Sequence, residues 1–367
     1  MGSSVSKPDF ITVLANKQVK SGETIKLFCK SNSEVVTATW EKDGIKLRCV
    51  KDKHFIREHG TMFSLEIVNA QESDNGKYTI VLKNKKGEIS CSSHVRVELT
   101  EWRTFDLNQK KLIDTLKAFK ICNKVPELHF LLYGPVGAGK SSTINTIKTI
   151  FVGRPFVNCL AAALSEESHT KHFDRYEVPN ENGSCPFAFY DTMGVQAKKG
   201  VLVEDIISAL KGHIKVGYMW NPTIPILENS MYYRKNPSLC DQMHCLLSII
   251  PADRFAFMEN DFIKQFKTVS KAARDLGVPQ VVLMTRVDSV CEMTRDNLYN
   301  VYKSKKIREK MYDCSDRLGV PVNCIFPIRN YHEETQIRED INCLMLDVLT
   351  NVVYWANNYV NKWSGEG

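Results

Sequence analysis

The feature that most constrains this chain is the stretch Leu128–Thr143, which reads LHFLLYGPVGAGKSST. An apolar run of strand character ends at Gly134, a glycine-rich turn follows, and a helical pattern opens near Lys140. This is G-x-x-x-x-G-K-[ST] in the strand–turn–helix context that the motif requires. Glycines let the backbone curl and aim several N–H groups inward, and the helix adds the positive end of its dipole. The alternative is a glycine-rich turn that binds nothing, and the complete motif favours a phosphate loop.

The motif predicts a role for each residue of this loop. The ammonium of Lys140 is expected to face the β- and γ-phosphates, and the hydroxyl of Ser141 is expected to bind Mg²⁺. Phosphate contacts are predicted along the whole turn, at Gly134, Gly137, Ala138, Gly139, Lys140, Ser141 and Ser142.

Strand-like and helix-like segments alternate around the loop, which is typical of an α/β fold with a doubly wound, mostly parallel sheet. The predicted strands after the loop are Pro186–Tyr190, His244–Ile250, Gln280–Met284 and Asn323–Ile328. The predicted helices are Lys110–Lys120, Ser142–Phe151, Asp205–Ile214, Asp261–Leu276, Thr294–Leu318 and Asp340–Trp363. Residues 215–239 are expected to form an irregular excursion. Such sheets bind ligands beyond the carboxyl ends of their strands.

Two further motifs stand at strand ends in the order expected of a GTPase. Asp191–Gly194 reads D-T-M-G, whose carboxylate suits the Mg²⁺ shell and whose Gly194 N–H suits the γ-phosphate. Thr285–Asp288 reads T-R-V-D, which is similar to the base-reading motif [NT]-K-x-D. The Asp288 carboxylate can accept hydrogen bonds from guanine N1 and N2, which adenine does not offer, so an ATPase is disfavoured. Arg286 replaces the usual Lys, and its guanidinium can still lie over the base.

Three weaker signals complete the predicted site. Arg329 and Asn330 follow the last strand, where a base-capping loop is expected. Thr170, in the segment SEESHTKH, is our choice for the switch threonine and joins Ser141 and Asp191 as a predicted Mg²⁺ ligand. The predicted cofactors are therefore GTP or GDP, with Mg²⁺.

Residues 8–100 contain short alternating segments separated by turn signals, which favours an all-β sandwich. The predicted strands are Thr24–Cys29, Thr37–Glu41, Phe63–Val68, Lys77–Lys83 and Ile89–Val97. Cys29 precedes Trp40 by eleven positions, and the sequence DNGKY ends at Tyr78. The region resembles an immunoglobulin domain of the intermediate set, with its strand C Trp at Trp40 and its Tyr corner at Tyr78. Ile80 stands where that resemblance places the second bridge cysteine, so Cys29 is expected to be a buried free thiol against Trp40. An unrelated small β domain is the alternative.

The first residues fit the N-myristoylation pattern M-G-x-x-x-[ST] through Gly2 and Ser6. The alternative is an unmodified tail. No cysteine lies near Gly2 to take a second acyl chain, so any membrane association would be reversible. The predicted organisation is a tail at 1–7, an immunoglobulin-like domain at 8–100, a junction and leading helix at 101–126, and a GTPase-like domain at 127–363.

Charge and cysteine usage bear on partners and compartment. The 367 residues carry a net charge of +7, but acidic and basic residues are interspersed, so nucleic acid is not expected as a partner. The twelve cysteines include no C-x-x-C pair, and no apolar run is long enough to span a bilayer. Reduced thiols in the cytoplasm are the simplest account.

The motifs GPVGAGKSS, FYDTMG and VVLMTRVD, together with the junction EWRTFD, resemble the interferon-induced protein 44 family over roughly residues 101–363. The immunoglobulin-like region ahead of them suggests a 44-like member with an added front domain. The resemblance implies a cytoplasmic, interferon-responsive protein that binds guanine nucleotide and is linked to antiviral defence.

The leading functional prediction is a Mg²⁺-dependent GTP-binding switch with slow hydrolysis. Val195 follows D-T-M-G where small GTPases carry a water-orienting Gln, and Val offers no donor or acceptor. Gln196, His169 or an Arg from a second copy could supply the missing group. The alternative is a non-catalytic adaptor whose immunoglobulin-like domain recruits protein partners while the bound nucleotide is structural.

Overall fold

The computed structural model describes residues 7–33, 37–121, 125–156, 170–181, 183–196 and 200–363. Two compact units make up the chain, Met1–Trp102 and Arg103–Gly367. The tail position Gly2 and the candidate His169 lie outside the described residues.

The first unit is a sandwich of two sheets. Its strands are β1 (Phe10–Thr12), β2 (Lys17–Lys20), β3 (Ile25–Ser31), β4 (Thr37–Lys42), β5 (Ile45–Lys46), β6 (His54–His59), β7 (Met62–Ile67), β8 (Gly76–Asn84) and β9 (Gly87–Glu98). One sheet has the order β1-β3-β7-β6 and the other β2-β9-β8-β4-β5. Buried and exposed residues alternate along β3 and β8, which is the pattern of a sheet with one face against the core. The predicted all-β immunoglobulin-like sandwich is confirmed, and its five predicted strands correspond to β3, β4, β7, β8 and β9.

Cys29, Trp40 and Ile80 are all buried in the core between these sheets, and Trp40 pairs with Ile80 across β4 and β8. The structure adds a partner that the sequence did not suggest, because Cys91 of β9 pairs with Ile80 and therefore also faces the core. The hydrogen bond between the Cys29 and Cys91 thiols lowers the pKa of Cys91 and raises the pKa of Cys29. Both cysteines are free thiols.

The second unit is built on a six-stranded sheet. Its strands are β10 (Leu128–Tyr133), β11 (Asp174–Asn180), β12 (Gly183–Asp191), β13 (Cys245–Pro251), β14 (Gln280–Thr285) and β15 (Ile325–Pro327), in the order β11-β12-β10-β13-β14-β15. All neighbours are parallel except β11, which runs antiparallel at the edge beside β12. The predicted α/β architecture with a mostly parallel sheet is confirmed, although the edge strand β11 was not predicted. Its polar, half-exposed sequence DRYEVPN gives little apolar signal.

Helices cover this sheet in two groups. The helices are α1 (Gln109–Lys117), α2 (Lys140–Val152), α3 (Val203–Leu210), α4 (Asn260–Asp275), α5 (Val287–Val290), α6 (Glu292–Asp296), α7 (Lys305–Leu318) and α8 (Glu339–Lys362). Helix α8 packs on α1 and α2, whereas α4 packs on α3 and α7. Residues 215–238 form no helix or strand apart from isolated bridges, and a 3-10 turn begins at Leu239, so the predicted irregular excursion over 215–239 holds except for its last residue.

The long helix predicted over Thr294–Leu318 is wrong. That stretch contains the end of α6, a short 3-10 turn at Leu298–Asn300 and then α7. Asn297 and Ser304 interrupt it, because each uses its side-chain oxygen to accept a backbone N–H and so caps a new helical segment. Apolar spacing continues across both breaks, which is why periodicity alone did not show them.

Strand β10 occupies the position that locates the site. In the sheet, β10 lies between β12 and β13. The chain goes from β10 to the side of β11 and β12 and then crosses to β13 on the opposite side, so the strand order reverses at the carboxyl end of β10. Open α/β sheets bind ligands at such a crevice.

Candidate nucleotide-binding site

The predicted phosphate loop follows β10 directly and leads into α2, whose first residue is Lys140. Gly134 lies so close to β13 that a Cβ there would be 2.2 Å from the Ile249 carbonyl oxygen. Gly137 (φ +70°) and Gly139 (φ +100°) adopt left-handed conformations that a side chain would strain. The three glycines are therefore required by packing and by backbone geometry.

Lys140 is held beneath this loop and is only 6% exposed. Its Nζ donates hydrogen bonds to the carbonyl oxygens of Gly134 at 3.1 Å and Pro135 at 3.2 Å. Burial lowers the pKa of Lys140 to about 8, and the nearby Asp191 carboxylate opposes that shift. A buried ammonium whose charged form is disfavoured gains stability from an anion brought into the loop.

The three predicted Mg²⁺ ligands meet at the end of β12, where two of them donate to the carboxylate of the third. Ser141 Oγ donates to Asp191 Oδ2 at 2.7 Å, and Thr170 Oγ1 donates to the same oxygen at 3.1 Å. Asp191 is 1% exposed, and its Oδ1 has no hydrogen-bond partner among the described residues. Burial raises the pKa of this carboxyl, whereas Lys140 and the two hydroxyls lower it. Oxygen donors around a buried, half-satisfied carboxylate fit a hard divalent cation.

The D-T-M-G segment lies against the phosphate loop. The Val195 N–H donates to the Gly134 carbonyl at 3.0 Å, and the Val136 N–H donates to the Val195 carbonyl at 3.2 Å. A Cβ on Gly194 would lie 2.5 Å from Val136 Cγ2, so only glycine fits there. The structure therefore places Gly194 at the loop, as the sequence predicts.

The T-R-V-D motif supports the loop from the end of β14. Thr285 Oγ1 donates to the Ala138 carbonyl at 2.7 Å, and an Arg286 guanidinium nitrogen donates to the Gly137 carbonyl at 2.7 Å. Arg286 adopts a left-handed backbone conformation (φ 59°) immediately before α5. The first two motif residues thus fix the phosphate loop, and Asp288 lies in the first turn of α5.

The two predicted base-capping residues have different surroundings. Arg329 lies 3.5 Å from Asp288 and 2.6 Å from Glu334, so it joins the carboxylate predicted to read the base. Asn330 instead donates to the Gly139 carbonyl at 3.3 Å and to Thr143 Oγ1 at 3.1 Å. Its own Oδ1 is buried without a partner among the described residues. The structure therefore associates Arg329 with the base position and Asn330 with the phosphate loop.

Ser142 lies in the first turn of α2 and is half-buried. The motif analysis missed Asp253 and Arg254, which follow β13 beside the loop. Asp253 Oδ2 is 3.4 Å from Arg286, and the Arg254 guanidinium lies near Gly137. A charged pair directly after the apolar run HCLLSIIPA was the available signal, since it marks the carboxyl end of a buried strand.

Two other classes of feature are absent from the part of the chain that the structure describes. No group of three or more His, Cys, Asp or Glu side chains there could hold a metal ion. No helix within that part is long and apolar enough to cross a membrane.

Comparisons with known proteins cover both units. The family model of the immunoglobulin I-set domain matches residues 8–97. Human interferon-induced protein 44-like is 30% identical over 241 residues, which are 64% of this chain and 53% of that protein. Human interferon-induced protein 44 is 27% identical over 260 residues, 69% of this chain and 57% of that protein. The mouse protein of the same name is 25% identical over 252 residues, 68% of this chain and 60% of that protein.

Among solved structures, titin domain M7 is 32% identical, with a TM-score of 0.25, over 26% of this chain and 99% of that domain. The chain spans 53% to 60% of the length of the interferon-induced relatives. The chain therefore carries an N-terminal immunoglobulin I-set domain and is similar over about two thirds of its length to the interferon-induced protein 44 proteins.

Proposed function

We propose that the second unit binds guanine nucleotide together with Mg²⁺ and acts as a slow GTP-hydrolysing switch. The observation that carries this proposal is the convergence of the Ser141 and Thr170 hydroxyls on the buried Asp191 carboxylate beside the phosphate loop. A loop that binds nothing has no need of a buried Lys, a half-satisfied carboxylate and two hydroxyls at its mouth.

Each group has a defined task when nucleotide is present. The inward N–H groups of the loop and the Lys140 ammonium would bind the phosphate oxygens. Ser141, Thr170 and Asp191 would hold Mg²⁺, which neutralises charge on the β- and γ-phosphates when it is bound. Asp288 would accept two hydrogen bonds from the guanine edge.

Asp288 lies on a support that is already fixed to the phosphate loop. Thr285 and Arg286 bond to the carbonyls of Ala138 and Gly137, so two hydrogen bonds join the base-reading segment to the loop. This arrangement favours a site that is largely formed before the nucleotide arrives, which reduces the ordering cost of binding.

Val195 supports slow hydrolysis. Its side chain is 5% exposed and offers no donor or acceptor, while its backbone is bonded to the loop. The position that orients water in small GTPases therefore has no group here that can do so.

The biological setting follows from the relatives. Their names describe them as interferon-induced, which supports a role for this chain in an interferon-responsive, innate antiviral response. We propose a cytoplasmic protein whose I-set domain contacts protein partners, with reversible membrane association through Gly2 and with self-association as a source of a catalytic group. No nucleic-acid partner is proposed.

The I-set domain also supports the second candidate, an adaptor in which the nucleotide is only structural.

Lys140→Ala tests nucleotide binding. Titration of a fluorescent GTP analogue is expected to show at least a hundredfold loss, while circular dichroism stays that of the parent, because the ammonium faces carbonyl oxygens and not the apolar core. Lys264→Ala removes a Lys whose side chain is 79% exposed and serves as the control. Equal affinity in parent and Lys140→Ala would contradict the proposal.

Measurements of GTP hydrolysis and of partner binding distinguish a nucleotide-dependent switch from an adaptor with structural nucleotide. A slow but measurable GTP hydrolysis, abolished in Lys140→Ala, and partner binding that differs between GTP and GDP would support the switch. Stable co-purified nucleotide with no turnover and no such difference would favour the adaptor.

A further inference from the structure

The turn that follows β13 lies beside the phosphate loop. The Ala252 N–H donates to the Thr285 carbonyl at 2.9 Å, which joins this turn to the end of β14. A Cβ built on Gly137 would be 4.0 Å from a guanidinium nitrogen of Arg254, its nearest neighbour. The Arg254 side chain therefore reaches the loop at Gly137, on the side where a side chain of that residue would point.

The guanidinium of Arg254 is only loosely held there. Its Nε lies 3.9 Å from Asp253 Oδ2, which is beyond hydrogen-bond distance, and its side chain is 61% exposed. The same carboxylate oxygen is closer, at 3.4 Å, to Arg286. Asp253 thus lies near two cations and is closer to Arg286. Moving the Arg254 guanidinium towards an anion would therefore cost little electrostatic energy.

The backbone that carries Arg254 is fixed, in contrast to its side chain. Phe255, the next residue, is fully buried beneath the Arg317 guanidinium, whose carbon lies 4.6 Å from the ring centre. Arg317 also donates to the Phe255 carbonyl at 2.8 Å and to the Met258 carbonyl at 3.3 Å. An exposed cation on an anchored turn is suited to contact a ligand without reorganising the fold.

We infer that Arg254 is a second phosphate-binding cation, supplied by this chain itself, that contacts the β- and γ-phosphates from the Gly137 side of the loop. Lys140 approaches the same phosphates from beneath. The assignment rests on the proposed nucleotide binding and names a residue that the sequence motifs do not include. Arg suits this task because its planar fork can donate two bonds to phosphate oxygens.

Equilibrium titrations of the full chain with GTP, GDP and GMP, in the presence of Mg²⁺, test the assignment. Arg254→Ala is expected to weaken GTP and GDP by about tenfold, as one charge-assisted contact predicts, and GMP by less than threefold. Arg254→Lys keeps the charge and loses the planar fork, so its affinity for GTP and GDP should lie between those of the parent and Arg254→Ala. Affinity for GTP should also depend less steeply on salt in Arg254→Ala than in the parent, because one ionic contact is missing.

Arg274→Ala is the matched control. Arg274 is exposed in the last turn of α4, at the amino end of the sheet, so the same charge is removed far from the loop. This control should bind all three nucleotides as the parent does, and all variants should melt like the parent.

The possible results separate cleanly. GTP and GDP affinities in Arg254→Ala within twofold of the parent, an equal loss for GMP, or the same loss in Arg274→Ala would each overturn the assignment. A parent protein that binds none of the three nucleotides would instead remove the proposed function, and this inference with it.

Discussion

Asp191 joins two other residues of the candidate site. One of its oxygens accepts hydrogen bonds from Ser141 and Thr170, and the other accepts none among the described residues. Because a buried carboxylate is costly unless its charge is compensated, a cation at the free oxygen would stabilise it. The same cation would lower the pKa of Asp191, which burial now raises.

Asp288 should determine guanine selectivity. Asp288→Ala removes both acceptors, and two charge-assisted bonds are worth about 3 kcal/mol, so GTP affinity should fall by about a hundredfold with ATP binding scarcely altered. The fold should be retained, since Arg329 keeps its 2.6 Å contact with Glu334. Calorimetric titration of GTP and ATP measures both effects.

Asp288→Asn tests the same role of Asp288 in base recognition by a gain of binding to a different base. An amide offers one acceptor and one donor, which matches the N1–H and O2 of xanthine, so xanthosine triphosphate should bind this variant better than it binds the parent. Asp275→Ala, at the end of α4, is the control. Unchanged GTP affinity in Asp288→Ala would show that another group reads the base.

Val195→Ala should change single-turnover GTP hydrolysis by less than fivefold. The valine side chain cannot position water, and its loop contacts are made by the backbone, which the substitution keeps. Dilute protein should hydrolyse GTP slowly. If a second copy supplies the missing group, specific activity should rise with protein concentration, whereas Gln196→Ala should lower the rate if that residue moves in. Fast turnover by dilute protein would contradict this account.

At the scale of elements, single hydrogen bonds fix the turns that join strands. In the I-set domain the Tyr78 hydroxyl donates to the Asp74 carbonyl at 3.0 Å, which closes the turn before β8. In the second unit, Thr192 Oγ1 at the end of β12 donates to the Leu132 carbonyl of β10 at 2.7 Å. Such bonds fix the direction in which the chain leaves a strand, and hence where the next motif lies.

Tyr78→Phe should destabilise the I-set domain by about 1 to 2 kcal/mol, because the buried Asp74 carbonyl loses its donor while the ring still fills the core. Hydrogen exchange of peptides from β4 and β8 reports on this unit by itself, and protection there should fall. Tyr312→Phe removes a hydroxyl from a largely exposed Tyr on α7 and should leave protection unchanged. Full protection in Tyr78→Phe would rule out a stabilising role for the corner.

His244, directly before β13, should make the second unit sensitive to acid. Its Nδ1 accepts from the His129 N–H at 2.9 Å and its Nε2 bonds to the Leu239 carbonyl at 2.9 Å, which fixes a neutral ring. Burial lowers the pKa of His244 to about 4, below the ordinary value of 6.5. The unfolded chain therefore binds this proton more tightly than the folded chain, so stability is complete above pH 6.5 and falls as the pH drops towards 4. The total loss is about 3 kcal/mol.

Melting curves between pH 7 and pH 4 test this dependence. His244→Gln keeps an acceptor and a donor without titrating, and its melting temperature should fall less steeply with acid than that of the parent. His332→Gln alters a His whose side chain is 70% exposed and should follow the parent. Parallel curves for parent and His244→Gln would show that other groups dominate.

At the scale of the whole molecule, an I-set domain is joined to an α/β unit that carries the candidate nucleotide site, and the chain divides between Trp102 and Arg103. Arg103 belongs to the second unit, where it donates to the carbonyls of Ile325 and Val322 at 2.7 Å each. The junction therefore ends in a residue packed against the last strand and not in a flexible Gly/Ser linker.

Gly2→Ala should release the protein from membranes. A single myristoyl chain gives only marginal binding, so the parent produced in a eukaryotic host should divide between membrane and soluble fractions. Ser3→Ala keeps the acceptor Gly2 and should behave like the parent. An intact mass without the acyl increment would refute lipidation itself.

The sequence alone predicted the features that depend on local backbone geometry. The phosphate loop needs glycines at Gly134, Gly137 and Gly139, and those requirements are visible in the sequence without knowledge of the fold. Alternation of apolar residues likewise predicted the sandwich and the mostly parallel sheet, since burial of one face sets that period. The breaks at Asn297 and Ser304 were missed because capping bonds leave the apolar spacing unchanged.

Only the tertiary structure decided which distant residues meet. Thr170 and Ser141 donate to the same oxygen of Asp191 because β12 lies beside β10, and no spacing in the sequence states that order. Cys91 meets Cys29, and Arg254 meets Gly137, for the same reason. Local motifs follow from the limited conformations of a few consecutive residues, whereas such contacts depend on how whole strands and helices pack, to which every buried residue contributes.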